Sequence, residues 1–392
     1  MTDGGVSGSP LRRAWVEIDA GALVRNFRRV AGAVAPARVL PVVKADAYGH
    51  GVLAVAEALE PAGAPGFAVA LVEEGIELRR AGFESSVLVL SPTPVGAEEA
   101  LVEFDLAPAI SGLDQLDRIE AMASAAGRHL PVHLKFDTGM TRLGLPAEAA
   151  REILQRVRTS RCLRLAGLMS HLAEAESPES PANRLQLERF AALVGLLGDE
   201  ERSEVEVHLA NSCGALFLPA TRFDVVRVGL ALYGAGPERS GLDLEPVMSL
   251  RAELVQVRDV APGTRAGYGG RWVAPGPARV GVVPLGYADG YPWRAESEVE
   301  VLVRGRRARL AGAVSMDLIL IDLTATGGEV GEVVTLLGED GGERITASEL
   351  ARRSGTLVYE VLCHFGLRLP RFAGRLRGSE RRGDAPREAG VG

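Results

Sequence analysis

Eight short apolar runs recur between residues 39 and 228, each followed by a stretch with helical spacing and a charged outer face. The runs are Val39–Lys44, Gly66–Ala70, Ser86–Leu90, Leu106–Ile110, Pro131–Phe136, Leu165–Ser170, Val205–Leu209 and Asp224–Val228. Apolar runs of this length suit strands buried on both faces, as in parallel sheets covered by helices. Segments such as Val72–Arg80 and Ser111–Ala126 read as the covering helices, and Gly82 stands in a C-cap position. Eight strand–helix units in about 200 residues have the length and rhythm of a (β/α)8 TIM barrel. A doubly wound sheet shares the rhythm, so the count favours the barrel without excluding the alternative.

The rhythm changes near Pro246. Val247–Asp259 alternates, and Gly263–Tyr268, Ala278–Pro284, Val299–Val303, Ala308–Val314, Leu318–Leu323 and Val333–Leu337 follow as short strands separated by turn residues. That pattern predicts a mostly antiparallel β domain. One helix, Thr346–Ser354, interrupts it, with Thr346 and Glu349 spaced as a capping box, and the apolar pattern resumes over Thr356–Phe365. At the N-terminus, Ala14-Trp15-Val16-Glu17-Ile18 alternates as a strand, and Asp19 caps a helix over Leu23–Val34. The expected organisation is an α/β chain: residues 1–13 disordered, a barrel over 14–245, a β domain over 246–374, and a disordered Arg/Gly/Glu/Pro tail over 375–392. A chain of 392 residues is too long for one ordinary core, which agrees with two domains.

The net charge of −7 argues against a nucleic-acid partner. The three cysteines, Cys162, Cys213 and Cys363, are far apart and form no CxxC, so neither a disulfide framework nor a zinc or other metal site is expected. Residues 1–13 lack the apolar core of a signal peptide, and no apolar stretch is long enough to span a bilayer. A cytoplasmic protein without a membrane partner is the expectation.

Chemistry concentrates at the ends of the predicted strands. The first barrel strand runs out at Lys44, and burial of such an amine disfavours its charged form, making it a usable nucleophile or proton carrier. A lysine that snorkels from a strand end is the competing reading. Tyr48 follows in a Gly-rich turn of the kind that binds anions. The segment Val43-Lys44-Ala45-Asp46-Ala47-Tyr48-Gly49-His50-Gly51 resembles the pyridoxal-phosphate lysine motif of alanine racemases, with Asp46 where that family usually has Asn. The resemblance implies that Lys44 bonds to the cofactor and that Tyr48 touches its phosphate.

Further segments resemble the same family in the same order, from Trp15 to Arg371, and because that family's first short strand joins its β domain, the resemblance implies that the strand at 14–18 belongs there rather than to the barrel. Lys135-Phe-Asp-Thr-Gly-Met-Thr-Arg142-Leu-Gly is similar to the stretch whose arginine takes the substrate carboxylate and whose lysine is often carbamylated, which makes Lys135 a candidate for that modification. A guanidinium matches a carboxylate bidentately; a solvated loop arginine is the plain alternative. Ser170-His171 resembles the segment whose histidine lies beside the cofactor and tunes the second catalytic base. His208-Leu-Ala-Asn-Ser212 and Arg227-Val-Gly229-Leu230 resemble cofactor-binding segments. The resemblance puts Ser212 and the Gly229 and Leu230 amides on the phosphate, and Arg227 opposite the pyridine nitrogen. Ala266-Gly-Tyr268-Gly resembles the segment of the catalytic tyrosine, Ser315-Met316-Asp317 a substrate-site segment, and Val358-Tyr359-Glu360 one whose tyrosine binds the phosphate.

The implied function is a pyridoxal-phosphate-dependent racemase, alanine being the leading amino-acid substrate. Racemisation needs a base on each face of Cα, and Lys44 and Tyr268 are the implied pair. A phenol with its ordinary pKa of about 10 is a poor base at neutral pH, so Tyr268 needs neighbours such as His171 and Arg227. The family is a head-to-tail homodimer, which implies that Tyr268 and Met316 act in the partner's site, and its members supply D-alanine for peptidoglycan. A broad-specificity racemase shares nearly every motif. A basic amino-acid decarboxylase is disfavoured by an arginine rather than a carboxylate at position 227. A non-catalytic carrier of the cofactor resembles the barrel alone and lacks the segment after Pro246.

Overall fold

The computed structural model describes residues 11–236, 240–295 and 298–374. The termini expected to be disordered fall mainly on residues 1–10 and 375–392, outside the described residues. The chain divides into two compact units, residues 21–245 and residues 1–20 with 246–392.

In the first unit eight parallel strands form a ring: β2 (Arg38–Pro41), β3 (Gly66–Val69), β4 (Ser86–Val89), β5 (Ala107–Ile110), β6 (Leu130–Lys135), β7 (Leu163–Met169), β8 (Glu206–His208) and β9 (Val225–Val228), numbered after β1 (Ala14–Ile18). β3 to β8 pair in sequence order, and β2 pairs with β9. The bridge Val42↔Ala68 joins β2 to β3. The Asp224 amide donates to Val207 O at 3.1 Å and the Arg227 amide to Ala210 O at 3.0 Å, joining β9 to β8 and closing the barrel. Val39, Phe67, Val87, Val132, Leu168, Val207 and Val226 are all buried, as the apolar runs require. The helix Ala20–Val34 buries Leu23, Phe27 and Val30.

In the second unit the strands are β10 (Met248–Glu253), β11 (Gln256–Val260), β12 (Arg265–Ala266), β13 (Trp272–Val273), β14 (Ala278–Val283), β15 (Glu300–Val303), β16 (Arg306–Arg309), β17 (Ile319–Asp322), β18 (Val333–Asp340), β19 (Glu343–Ile345) and β20 (Arg371–Ala373). They are mostly antiparallel; the exception is β20, which pairs in parallel with β1. The first strand, β1, lies between β10 and β20 in this unit. Three details depart from the sequence reading. The strand expected at Ala308–Val314 begins earlier, because Arg304 and Gly305, both at positive φ, turn β15 directly into β16. Thr356–Phe365 contains a second helix, Val358–His364. The Thr346 hydroxyl accepts from the Glu349 amide at 3.0 Å, but the Glu349 carboxylate pairs with Arg307 and Arg353 instead of closing the box.

A buried ion pair ties this sheet together. Arg251 Nε donates to Glu17 Oε2 at 2.8 Å, linking β10 to β1, and Arg251 also donates to Thr335 Oγ1 on β18. Trp15 Nε1 satisfies the other Glu17 oxygen at 3.0 Å. Removing one partner strands a buried charge. Arg251→Leu is therefore expected to cost about 3–5 kcal/mol in denaturant unfolding, and Glu17→Leu in the same chain to recover most of it. Equal losses in the single and double variants would refute this account.

Candidate active site

The barrel strands end on a cluster of cations. Lys44 lies just past β2, Lys135 closes β6, Arg142 sits in the loop after β6, and Arg227 lies within β9. His171, just past β7, feels the positive charge of all four. Such a field favours an anionic ligand.

Arg227 organises the interior. It is 3% exposed, and it hydrogen-bonds carbonyls and imidazoles. It donates to His208 O at 3.0 Å, Ser170 O at 2.8 Å and Leu209 O at 3.2 Å. Burial pulls its pKa down to about 10, so it remains a cation at neutral pH. A guanidinium has no acceptor, so each imidazole nitrogen facing it must accept. Its NH1 lies 2.9 Å from His208 Nδ1 and its NH2 3.1 Å from His171 Nδ1. His208 must then carry its proton on Nε2, which donates to His133 Nδ1 at 2.9 Å. One cation thus fixes three tautomers, each with its proton on Nε2. Burial first and the Arg227 charge after it keep His171 and His208 neutral; His133 is pushed down to about 3 by burial, then by Arg164 and Arg227. Lys135 is lowered to about 8 by burial, then by Arg227, Arg142 and Lys44.

The stretch after Lys44 is unusual. Ala45, Asp46, Ala47 and Tyr48 all have φ of 52–55°, forming a left-handed helical turn without a glycine. Each such residue costs about 1–2 kcal/mol against the right-handed form. The turn brings the Tyr48 ring, buried, against Gly229: a Cβ on Gly229 would lie 2.3 Å from Tyr48 Oη. Ser212 Oγ accepts from the Gly229 amide at 3.2 Å and faces the Ala231 amide at 3.5 Å. Tyr48 Oη, Ser212 Oγ and these amides form a compact hydrogen-bonding cradle, which fits a phosphate. The N-cap of the helix Ser212–Phe217 is Asn211, whose side chain accepts from Gly214; Ser212 is its first residue. At Leu230 the fold puts backbone between the two amides that meet Ser212.

Asp137 Oδ1 accepts from the amides of Gly139, Met140 and Thr141, shaping the loop that carries the exposed Arg142. Gln186 braces the neighbouring loop by donating to His171 O and accepting from Ala173. In the second unit, Tyr268 stands on a short 3-10 turn between Gly267 and Gly269, both at positive φ, and is 75% exposed; Met316 is 53% exposed. Tyr359 lies on the helix Val358–His364 of that unit. The barrel residues of the expected site thus converge. Sequence reading gave no role to His133, to the Ala231 amide or to Asp137. The signal for His133 was present: it shares a strand face with Lys135, two residues on.

A barrel whose strand ends gather a lysine, a phosphate-sized cradle and a cluster of cations, joined to a β domain, defines an enzyme that handles a phosphorylated, anionic ligand. Residues 18–237 match the model of the alanine racemase N-terminal domain and residues 247–373 that of its C-terminal domain. The alanine racemase of Synechocystis is 43% identical over 370 residues, 92% of this chain and 99% of that protein. The structure of alanine racemase from Streptomyces lavendulae superposes with a TM-score of 0.87 at 34% identity, covering 95% of this chain and 99% of that one. That of Bartonella henselae, described with covalently bound pyridoxal phosphate, superposes at 0.83 with 28% identity, covering 92% and 99%. The chain belongs to the alanine racemase family. Among the described residues no helix is long and apolar enough to cross a membrane.

The neutral histidines make a pH prediction. His133 has an ordinary pKa of 6.5 when unfolded and about 3 when folded, so between these values the unfolded chain binds more protons. Stability is therefore full above pH 6.5 and falls as the pH drops, by about 1.4 kcal/mol per pH unit from this residue. Urea unfolding between pH 7 and pH 4 should show at least that slope, since His171 and His208 are depressed too, and His133→Asn should reduce it by about that share. An unchanged slope in the variant would assign the acid sensitivity elsewhere.

Proposed function

We propose that this chain is a pyridoxal-phosphate-dependent alanine racemase, interconverting L- and D-alanine with two bases. The observation that carries the site assignment is the joint position of the Lys44 turn and the Tyr48–Ser212–Gly229 cradle. The cofactor, when bound, withdraws electrons from the substrate Cα and so acidifies its proton. Tyr48, Ser212 and the amides at Gly229 and Leu230 would hold its phosphate, with Tyr359 as the contribution of the β domain. Lys44 would carry the cofactor and act as the base for the D-enantiomer. Arg227 would face the pyridine nitrogen, and a permanent donor there leaves that nitrogen unprotonated. That choice restrains the electron sink and favours proton transfer over decarboxylation.

On the other face of Cα, Tyr268 would take the proton of L-alanine. His171, held with its proton on Nε2, is suited to donate a hydrogen bond to a phenolate. Arg142 and the Met316 amide would hold the substrate carboxylate. Lys135, with its pKa at about 8, is neutral in about a tenth of molecules at pH 7, far more than an ordinary lysine. A neutral amine adds to carbon dioxide, releasing one proton and leaving a carbamate anion. That anion would replace a cation in a crowded positive site and orient Arg142.

The exposure of Tyr268 and Met316 in the single chain supports a homodimer whose sites take both residues from the partner. The enzyme would act in the cytoplasm and supply D-alanine to peptidoglycan. Two assays test the reading. With pyridoxal phosphate, L-alanine should yield D-alanine faster than L-serine or L-lysine yield their D-forms, and Tyr268→Phe should lose racemisation in both directions while Lys44 still exchanges the Cα proton of D-alanine with solvent. Faster conversion of serine or lysine would keep the mechanism and change the substrate; no D-product would reject it. Mixing inactive Lys44→Ala and Tyr268→Phe chains should restore activity, since a mixed dimer contains one intact site. Mixtures that stay inactive despite exchange of subunits would reject the shared site. For Lys135, intact mass should show one added carbon dioxide, and stripping bicarbonate should lower activity reversibly.

A further inference from the structure

Ala45 N lies at the entrance to the left-handed turn, immediately after Lys44, and donates to Glu74 Oε1 at 2.6 Å. Glu74 belongs to the next barrel unit, in the helix Val72–Arg80 that follows β3. Its other oxygen accepts from the amides of Ala70 at 2.7 Å and Leu71 at 3.1 Å, which is the ordinary reach of a helix-start carboxylate to the N-cap backbone. The helix start uses Oε2 alone. Oε1 crosses to a different βα loop, where it meets the first residue of a strained segment.

We propose that Glu74 is a positioning residue for Lys44, holding the left-handed turn that aims the amine into the site. The segment needs outside support. Alanine at 45 and 47 has none of the freedom of glycine at positive φ, and the four consecutive left-handed residues are intrinsically unfavourable. Within the segment, the Ala47 amide bonds to Val43 O at 2.8 Å and the Gly51 amide to Asp46 O at 3.0 Å. Asp46 Oδ1 secures the exit by accepting from the Val52 amide at 2.7 Å. Glu74 secures the entrance. A turn fixed at both ends by carboxylates is rigid without glycine, and rigidity at this point sets where the Lys44 amine stands relative to the Tyr48–Gly229 cradle.

The inference rests on Lys44 as the cofactor lysine, and the test separates the two. Glu74→Gln can keep its carbonyl on the Ala70 and Leu71 amides, but it turns an NH2 group toward the Ala45 amide. In cofactor-free protein, amide exchange of the peptide spanning 43–52 should accelerate while the peptide spanning 72–80 stays protected. The dissociation constant for pyridoxal phosphate should rise about tenfold or more, the size of one lost charge-assisted hydrogen bond. In the loaded enzyme kcat should fall while KM for alanine moves little. Adding Ala45→Gly, which removes the conformational strain, should restore part of the affinity. If Glu74→Gln does not fold, Glu74→Asp, one carbon too short to span both loops, reads the same quantities. Unchanged exchange at 43–52 and unchanged cofactor affinity would overturn the proposal, as would exchange accelerated at 72–80 alone, which marks a helix cap only. Borohydride fixation of wild-type protein followed by peptide mapping checks the underlying reading: label away from Lys44 would overturn the assignment of the lysine whatever Glu74 does.

Discussion

The barrel interior depends on one buried cation. Arg227 sits on β9 among backbone carbonyls and imidazoles, and burial lowers its pKa only to about 10, so its charge persists. A buried charge is costly unless hydrogen-bonded, and here carbonyl dipoles and ring lone pairs satisfy the guanidinium. Because guanidinium only donates, it dictates the tautomers of His208 and His171, and His208 passes that constraint to His133. The same charge depresses the basicity of Lys135. A carboxylate at this position would accept rather than donate. It would reverse each of those consequences, turning the imidazoles into donors and stabilising positive charge on the lysine.

The second constraint is steric. Gly229 admits the Tyr48 ring where any Cβ would collide with its hydroxyl, and the left-handed turn at Ala45–Tyr48 delivers that ring. The strain is stored beside Lys44, the proposed cofactor lysine. Strained backbone persists only where its surroundings over-determine it, and carboxylates on both ends of the turn meet that condition.

The strands of the barrel were legible because eight runs buried on both faces leave the same apolar signature. Their ends were legible to within about three residues. Lys44 is the instructive shift: regular pairing on β2 stops at Pro41, so the lysine lies past the strand in a conformation that composition does not announce. Ala-Asp-Ala-Tyr carries no glycine, and nothing local predicts positive φ there. The polar network was illegible for another reason. His133, His208 and Arg227 are far apart in sequence and meet only because the barrel closes. In the β domain the errors follow turn chemistry. Arg304-Gly305 forms a two-residue hairpin turn, which ends one strand and starts the next earlier than an apolar run would. β20 is short and pairs with β1 across the length of the chain, a register only tertiary structure sets.

What a single chain lacks is as informative as what it holds. Its barrel supplies the proposed lysine base, the proposed phosphate cradle and a neutral histidine whose Nε2–H is free of the arginine. Its β domain presents a phenol that is 75% exposed on a glycine-flanked turn, and the same unit also exposes Tyr287, Trp293 and Met316. A phenol in water is a hydrogen-bond donor rather than a base. To become one it must lose water and meet donors that prefer the phenolate. The barrel offers such donors in a field of four cations, and an exposed apolar rim is what a protein surface presents when a second copy covers it. The proposed sharing of the site between chains therefore draws on acid–base chemistry as well as on exposure: in that reading each site takes its lysine from one chain and its phenol from the other.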